Sequence, residues 1–127
     1  MKIHGIGTDI ANINRFKKSL NKQKFINRLF NKNEINKCNQ ISHKANCFAK
    51  RFAAKEAFSK ALGTGISKGI NFNEIIVYNI KSGKPNIRLL GKTKKIVNTI
   101  FKKKKFNIFL SLSDDKPFAI ATVVISL

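Results

Sequence analysis

Acidic side chains are scarce in this chain of 127 residues: 6 Asp and Glu stand against 26 Lys and Arg, a formal charge of +20. Tryptophan is absent and tyrosine occurs once, so the sequence lacks the aromatic array on which single-stranded nucleic acid is stacked. No apolar run approaches the roughly 20 residues of a membrane span; even Phe118 to Ile125 falls well short. Met1 to Ile10 holds glycines and an aspartate where a secretory signal would hold a basic and then an apolar segment, so a cytoplasmic protein without a membrane span is expected. The two cysteines, Cys38 and Cys47, show neither CxxC nor a zinc-type Cys/His spacing and read as ordinary intracellular thiols. Internal repeats and Pro/Gly/Ser-rich linkers are also missing, and low complexity is confined to Lys102 to Lys105. With 43% hydrophobic residues, the expectation is one folded domain spanning 1–127.

What is abundant is lysine, along with Asn and Ile, the residues of A/T-heavy codons. Part of the basic excess therefore reflects coding bias. Its physical consequence stands regardless: such a surface attracts phosphate-bearing ligands, acidic proteins or nucleic acid. A basic nucleic-acid-binding protein of ribosomal type is the alternative that charge alone suggests. The six acids carry more information than the 26 cations.

Lys2 to Ile10 reads as a strand with Gly5 and Gly7 on the same face as Asp9. Asn12 or Asn14 can cap a short helix carrying Arg15, Phe16, Lys17 and Lys18, and Phe25 to Phe30 continues as a second amphipathic segment. Asn31 and Glu34 have capping-box spacing, which explains Glu34 structurally. Ala45 to Leu62 lacks Gly and Pro and predicts a long helix ended by a left-handed Gly63. Strands follow at Glu74 to Ile80 and Asn86 to Leu90 around a Ser82 to Pro85 turn, then a basic helix from Gly91 to Lys104. The chain closes with a hairpin, Asn107 to Ser113 and Phe118 to Leu127, turning through Asp114 to Pro117. The order predicts an α+β domain with an antiparallel sheet packed against a long central helix.

On the long helix Glu56 falls in the sector of Phe48, Ala49, Phe52 and Ala53, with Lys60 one turn on. A carboxylate there is either an intrahelical partner of Lys60 or functional. Asp9 either caps the next helix or faces a ligand, and Gly5 and Gly7 allow a backbone or a ligand to come close. Two carboxylates from distant segments suit Mg²⁺ with substrate phosphates, whose remaining charge Arg51, Lys55 and Lys60 would neutralise. The Gly63-Thr64-Gly65 loop matches no nucleotide P-loop, and neither His4 nor His43 accompanies a nucleophile motif.

GIGTDI (5–10), RFAAKEAFSKALGTGI (51–66), GKP (83–85) and SLSDD (111–115) before a final Ala-rich strand run in order across the chain. This pattern resembles the holo-acyl-carrier-protein synthase family, the small bacterial phosphopantetheinyl transferases. The resemblance implies transfer of the 4′-phosphopantetheine arm of coenzyme A to a serine of apo-acyl carrier protein, releasing adenosine 3′,5′-bisphosphate and supporting fatty acid biosynthesis. It implies that Asp9 and Glu56 hold Mg²⁺, that Lys60 balances phosphate charge, that Arg51 and Lys44 contact the nucleotide end, and that Gly63 and its loop line the coenzyme A cleft. In the mechanism it suggests, the carrier serine attacks the β-phosphoryl group, and Glu56, directly or through a metal-bound water, accepts the proton.

The resemblance further implies docking of an acidic carrier on Arg15, Lys18, Lys22, Lys24 and Arg28, with no nucleic-acid partner. It implies a homotrimer with active sites between subunits. Some relatives carry histidine where this chain has Asp114, so Ser113 and Asp114 are expected as ligand contacts without a histidine's role.

Overall fold

The computed structural model describes residues 1–64 and 69–127. Strand β1 (Ile3–Asn12) leads into α1 (Ile13–Lys17), α2 (Gln23–Leu29) and α3 (Lys32–Asn39), and then into the long α4 (Lys44–Leu62). A 3₁₀ turn at Phe72–Glu74 precedes β2 (Ile75–Asn79) and β3 (Pro85–Leu89), and α5 (Gly91–Ile100) precedes β4 (Asn107–Asp115) and β5 (Phe118–Ser126). The strands form two antiparallel sheets, β1-β5-β4 and β2-β3.

Local chemistry explains the boundaries. Asn12, rather than Asn14, caps α1 by accepting the Arg15 amide at 3.0 Å. Asn31 and Glu34 complete the expected capping box of α3. Gly63 ends α4 at φ 88°, a conformation that favours glycine. The helix α5 stops at Ile100, short of the expected Lys104, because Lys102 and Lys103 take φ of 52° and 62°. The last hairpin is also tighter than expected: β4 continues through Asp114 and Asp115, and only Lys116 and Pro117 turn.

The helix α4 is the centre of the molecule. Ala49, Ala53, Ala54, Ala57, Phe58 and Ala61 are all at most 2% exposed, which requires packing on several sides rather than along one stripe. Its small residues let β1 approach at backbone distance. A Cβ on Gly5 would overlap the Ala61 carbonyl and one on Gly7 the Ala57 carbonyl, so these glycines serve a backbone approach. That contact fixes how Asp9 lies relative to the last turns of α4.

Cys38 and Cys47 are not separate thiols: they form a disulfide, with Cα atoms 5.5 Å apart. The turn between α3 and α4 folds the two helix ends together. That pairing is tertiary, so CxxC-type spacing could not reveal it.

Candidate active site

Three of the expected residues converge where β1 crosses the C-terminal half of α4. Lys60 Nζ donates to Asp9 Oδ1 at 3.1 Å and to the Thr8 carbonyl at 3.0 Å. Glu56, one turn before Lys60, is half-buried, and its pKa is raised by burial and by the Asp9 charge, with Lys60 opposing both. Lys60 thus bridges to Asp9 rather than forming the simple intrahelical pair that was one expectation for Glu56. Gly63 closes the same end of the helix and is exposed; Gly65 and the rest of its loop, through Lys68, lie outside the described residues.

The cluster is open to solvent. The Lys60 side chain is 55% exposed and the Asp9 side chain 17%. Such placement leaves two carboxylates and an ammonium accessible to a polar ligand.

The nucleotide-end candidates lie elsewhere. Lys44 begins α4, sixteen residues or about 24 Å of helix from Lys60. It borders a cleft of about 430 Å³ with Lys17, Leu20 and Lys116. Arg51 is 6% exposed and donates to the Cys47 sulfur at 3.0 Å, the Cys47 carbonyl at 3.4 Å and Asn79 Oδ1 at 3.4 Å. Burial lowers its pKa against the pull of Glu34. It lines a second cavity, of about 330 Å³, with Ile41, His43, Asn46, Cys47 and Lys50. Ser113 is exposed on β4, opposite Ile120. Asp114 takes an ion pair from Lys50 at 2.7 Å and a hydrogen bond from Asn46 at 2.9 Å, which hold its carboxyl below the usual aspartate range.

Lys55 does not join the phosphate-facing cations. It is fully buried, and its Nζ donates to Glu34 Oε1 at 2.6 Å, the Leu29 carbonyl at 2.8 Å and the Phe72 carbonyl at 2.9 Å. Glu34 also accepts the Val77 amide at 3.0 Å. Its capping-box spacing was legible, but its second role in this buried pair was not, because the partner lies 21 residues away. Glu74 was similarly missed: it accepts the Lys92 and Thr93 amides at the start of α5. Arg15, Lys18, Lys22, Lys24 and Arg28 are all exposed, along α1, α2 and the segment between them.

An α+β domain whose central helix and first strand jointly present an acid pair and a lysine is matched, over residues 5–123, by the family model of the 4′-phosphopantetheinyl transferase superfamily. The chain belongs to that superfamily. It is 49% identical over 125 residues to the holo-[acyl-carrier-protein] synthase of Pelagibacter ubique, covering 98% of each chain. It is 42% identical over 127 residues to that of Vibrio parahaemolyticus, again covering 98% of each. In structure it is similar to the holo-[acyl-carrier-protein] synthase of Neisseria meningitidis, with TM-score 0.86, 34% identity and coverage of 98% and 99%. It is also similar to the Helicobacter pylori enzyme solved in complex with coenzyme A, with TM-score 0.79, 35% identity and coverage of 95% and 99%. Among the described residues no helix is long and apolar enough to cross a membrane.

Proposed function

We propose that this protein is a holo-[acyl-carrier-protein] synthase: it moves 4′-phosphopantetheine from coenzyme A to a serine hydroxyl of apo-acyl carrier protein and releases adenosine 3′,5′-bisphosphate. The observation that carries the reading is the meeting of Asp9, Glu56 and Lys60 at one end of α4. Full-length similarity to enzymes of that name, one solved with coenzyme A, supports the substrate pair.

The donor set fits Mg²⁺. Asp9 helps to raise the pKa of Glu56, so two mutually repelling carboxylates lie close together with Lys60 opposing the repulsion. Two carboxylates suit a hard cation that takes one or two of them plus water and phosphate oxygens. Asp9 and Glu56 would hold it, and when bound it would polarise the pyrophosphate of coenzyme A and offset its charge.

The remaining steps belong to the chain's own groups. Lys60 neutralises charge building on the phosphate oxygens as the serine oxygen bonds to the β-phosphorus and the bond to the bisphosphate leaving group breaks. Glu56 is the group we assign to accept the serine proton, directly or through a water. Lys44, Arg51, Gly63 and Ser113 serve the coenzyme A side. Lys44 lies about 24 Å of helix from Lys60 and Arg51 is buried away from it, and we read one subunit as supplying the acids and its neighbour the nucleotide-end contacts.

That division calls for an assembly, and we read it as a homotrimer. Support comes from the outer face of the β1-β5-β4 sheet, where Ile6, Ile10, Phe109 and Phe118 are 65%, 60%, 43% and 41% exposed. In register, Ile6, Val124 and Phe109 form one apolar row and Ile10 and Ile120 another. The exposed cations Arg15, Lys18, Lys22, Lys24 and Arg28 form the docking surface for an acidic carrier. The domain, spanning 1–127, would work in the cytoplasm and supply holo-carrier for fatty acid synthesis. The test is release of adenosine 3′,5′-bisphosphate from coenzyme A and Mg²⁺, expected only when an apo-carrier is present. Equal release without a carrier would refute transfer to protein.

A further inference from the structure

The disulfide lies against a cation that the reaction would use. Arg51 Nη1 donates to Cys47 Sγ at 3.0 Å, and both residues line the 330 Å³ cavity beside α4. Cys38 is fully buried, whereas Cys47 is 6% exposed and borders that cavity, so Cys47 is the sulfur that an incoming thiol can reach. Four residues, Gln40 to His43, link α3 to α4 within the closed loop, and Ile41 and His43 form part of the same wall.

We infer that Cys38 and Cys47 are a reversible thiol–disulfide pair that sets how strongly Arg51 and its cavity hold an anionic ligand. The ligand's identity as the nucleotide end of coenzyme A rests on the function proposed above; the pair itself does not.

The chemistry balances with a dithiol reductant. Its first thiolate attacks Cys47 Sγ, the Cys38–Cys47 bond breaks, and Cys38 leaves as a thiolate that takes up a proton. The reductant's second thiolate then attacks its own sulfur in the mixed disulfide, closing the reductant's disulfide and expelling Cys47 as a thiolate. Two electrons pass to the protein. A disulfide oxidant such as glutathione disulfide runs the exchange in reverse.

The two states differ at Arg51. In the disulfide state its partner sulfur is neutral, and the guanidinium keeps its full charge for an anion. In the reduced state the adjacent guanidinium stabilises the Cys47 thiolate, which cancels that charge and gives Cys47 the reactivity of a redox-sensitive thiol with Cys38 as its resolving partner. Reduction also cuts the tie that holds the α3–α4 linker against the cavity. Anion binding should therefore be tight when the pair is oxidised and weak when it is reduced.

The test uses the full wild-type chain, treated with glutathione disulfide or with dithiothreitol, and adenosine 3′,5′-bisphosphate as probe. Intact mass after alkylation with iodoacetamide in denaturant should show no adduct on the oxidised protein and two on the reduced. Calorimetric titration should give an affinity about tenfold weaker after reduction, the size expected when one charge-assisted hydrogen bond to the anion is removed. Cys38→Ser should give the weak value in both conditions. Two adducts after glutathione disulfide, or equal affinity in the two wild-type states, would overturn the inference. If neither state binds the bisphosphate, the coenzyme A reading fails and the pair is judged by alkylation. Arg51→Met should slow alkylation of reduced Cys47 about tenfold through loss of thiolate, and an unchanged rate would overturn Arg51's part.

Discussion

Lys60 on α4 donates to Asp9 on β1 at 3.1 Å, and this hydrogen bond brings the strand and helix carboxylates into one field. Glu56 feels it directly, since Asp9 raises its pKa while Lys60 opposes the rise. Glu56→Gln keeps the shape and removes the charge. Turnover should fall roughly 100-fold or more with the fold intact, the scale of a lost general base. Near-normal turnover in a folded variant, checked by circular dichroism, would remove Glu56 from the site.

The same shift fixes a pH dependence. The base acts when deprotonated, so kcat/KM should climb as pH rises through the Glu56 pKa; without metal, burial and Asp9 hold that pKa above an ordinary glutamate's, and raising Mg²⁺ should move the limb to lower pH. Glu56→Gln should lose that limb. A profile identical in shape for wild type and variant assigns the titration to another group.

Gly7 tests the close packing of β1 on α4. In Gly7→Ala the new Cβ meets the Ala57 carbonyl, backbone that cannot swing away, so the strand must shift. Stability should fall by about 1–3 kcal/mol, and turnover should fall further because Asp9 moves with the strand. Denaturant melts unchanged from wild type would contradict the close approach.

Lys55 and Glu34 are a test of stability rather than catalysis. Lys55→Met leaves the Glu34 carboxylate buried without its cation and should cost about 3–5 kcal/mol. Adding Glu34→Gln should recover part of the loss. Burial lowers the Lys55 pKa from 10.5 to about 8, with Glu34 opposing the drop. Between those values the unfolded chain binds more protons than the folded one, so this group alone makes stability rise with pH over that window. The slope should vanish in the Lys55→Met variant.

Much of this was legible from local signals. The Asn31 and Glu34 box, the Gly63 stop and the Gly5-Gly7-Asp9 alternation depend on neighbours within a few residues, and the structure follows them. What was not legible is tertiary. Lys55 and Glu56 are adjacent in sequence, yet one points into the core toward Glu34 and the other toward Asp9; the 100° helical step turns them apart, and only the placement of α3 gives Lys55 its partner. The Cys38–Cys47 bond and the Glu74 cap of α5 likewise join segments that meet only after folding. Arg51 reads from sequence as a phosphate-neutralising cation, and in the structure it is buried with its guanidinium on Cys47 one turn earlier in α4.

The docking surface makes its own prediction. Reversing charge in Arg15→Glu should raise the apparent KM for the carrier several-fold and reduce its salt dependence, while the KM for coenzyme A stays close to wild type. An unchanged carrier KM would exclude Arg15 from the surface.

The most direct measurement is the intact mass of an apo-acyl carrier protein incubated with this protein, coenzyme A and Mg²⁺, with a parallel reaction in EDTA. The account predicts a gain of one phosphopantetheine group on the carrier, abolished by EDTA. No gain on several bacterial carriers, with the protein shown to be folded, would contradict it.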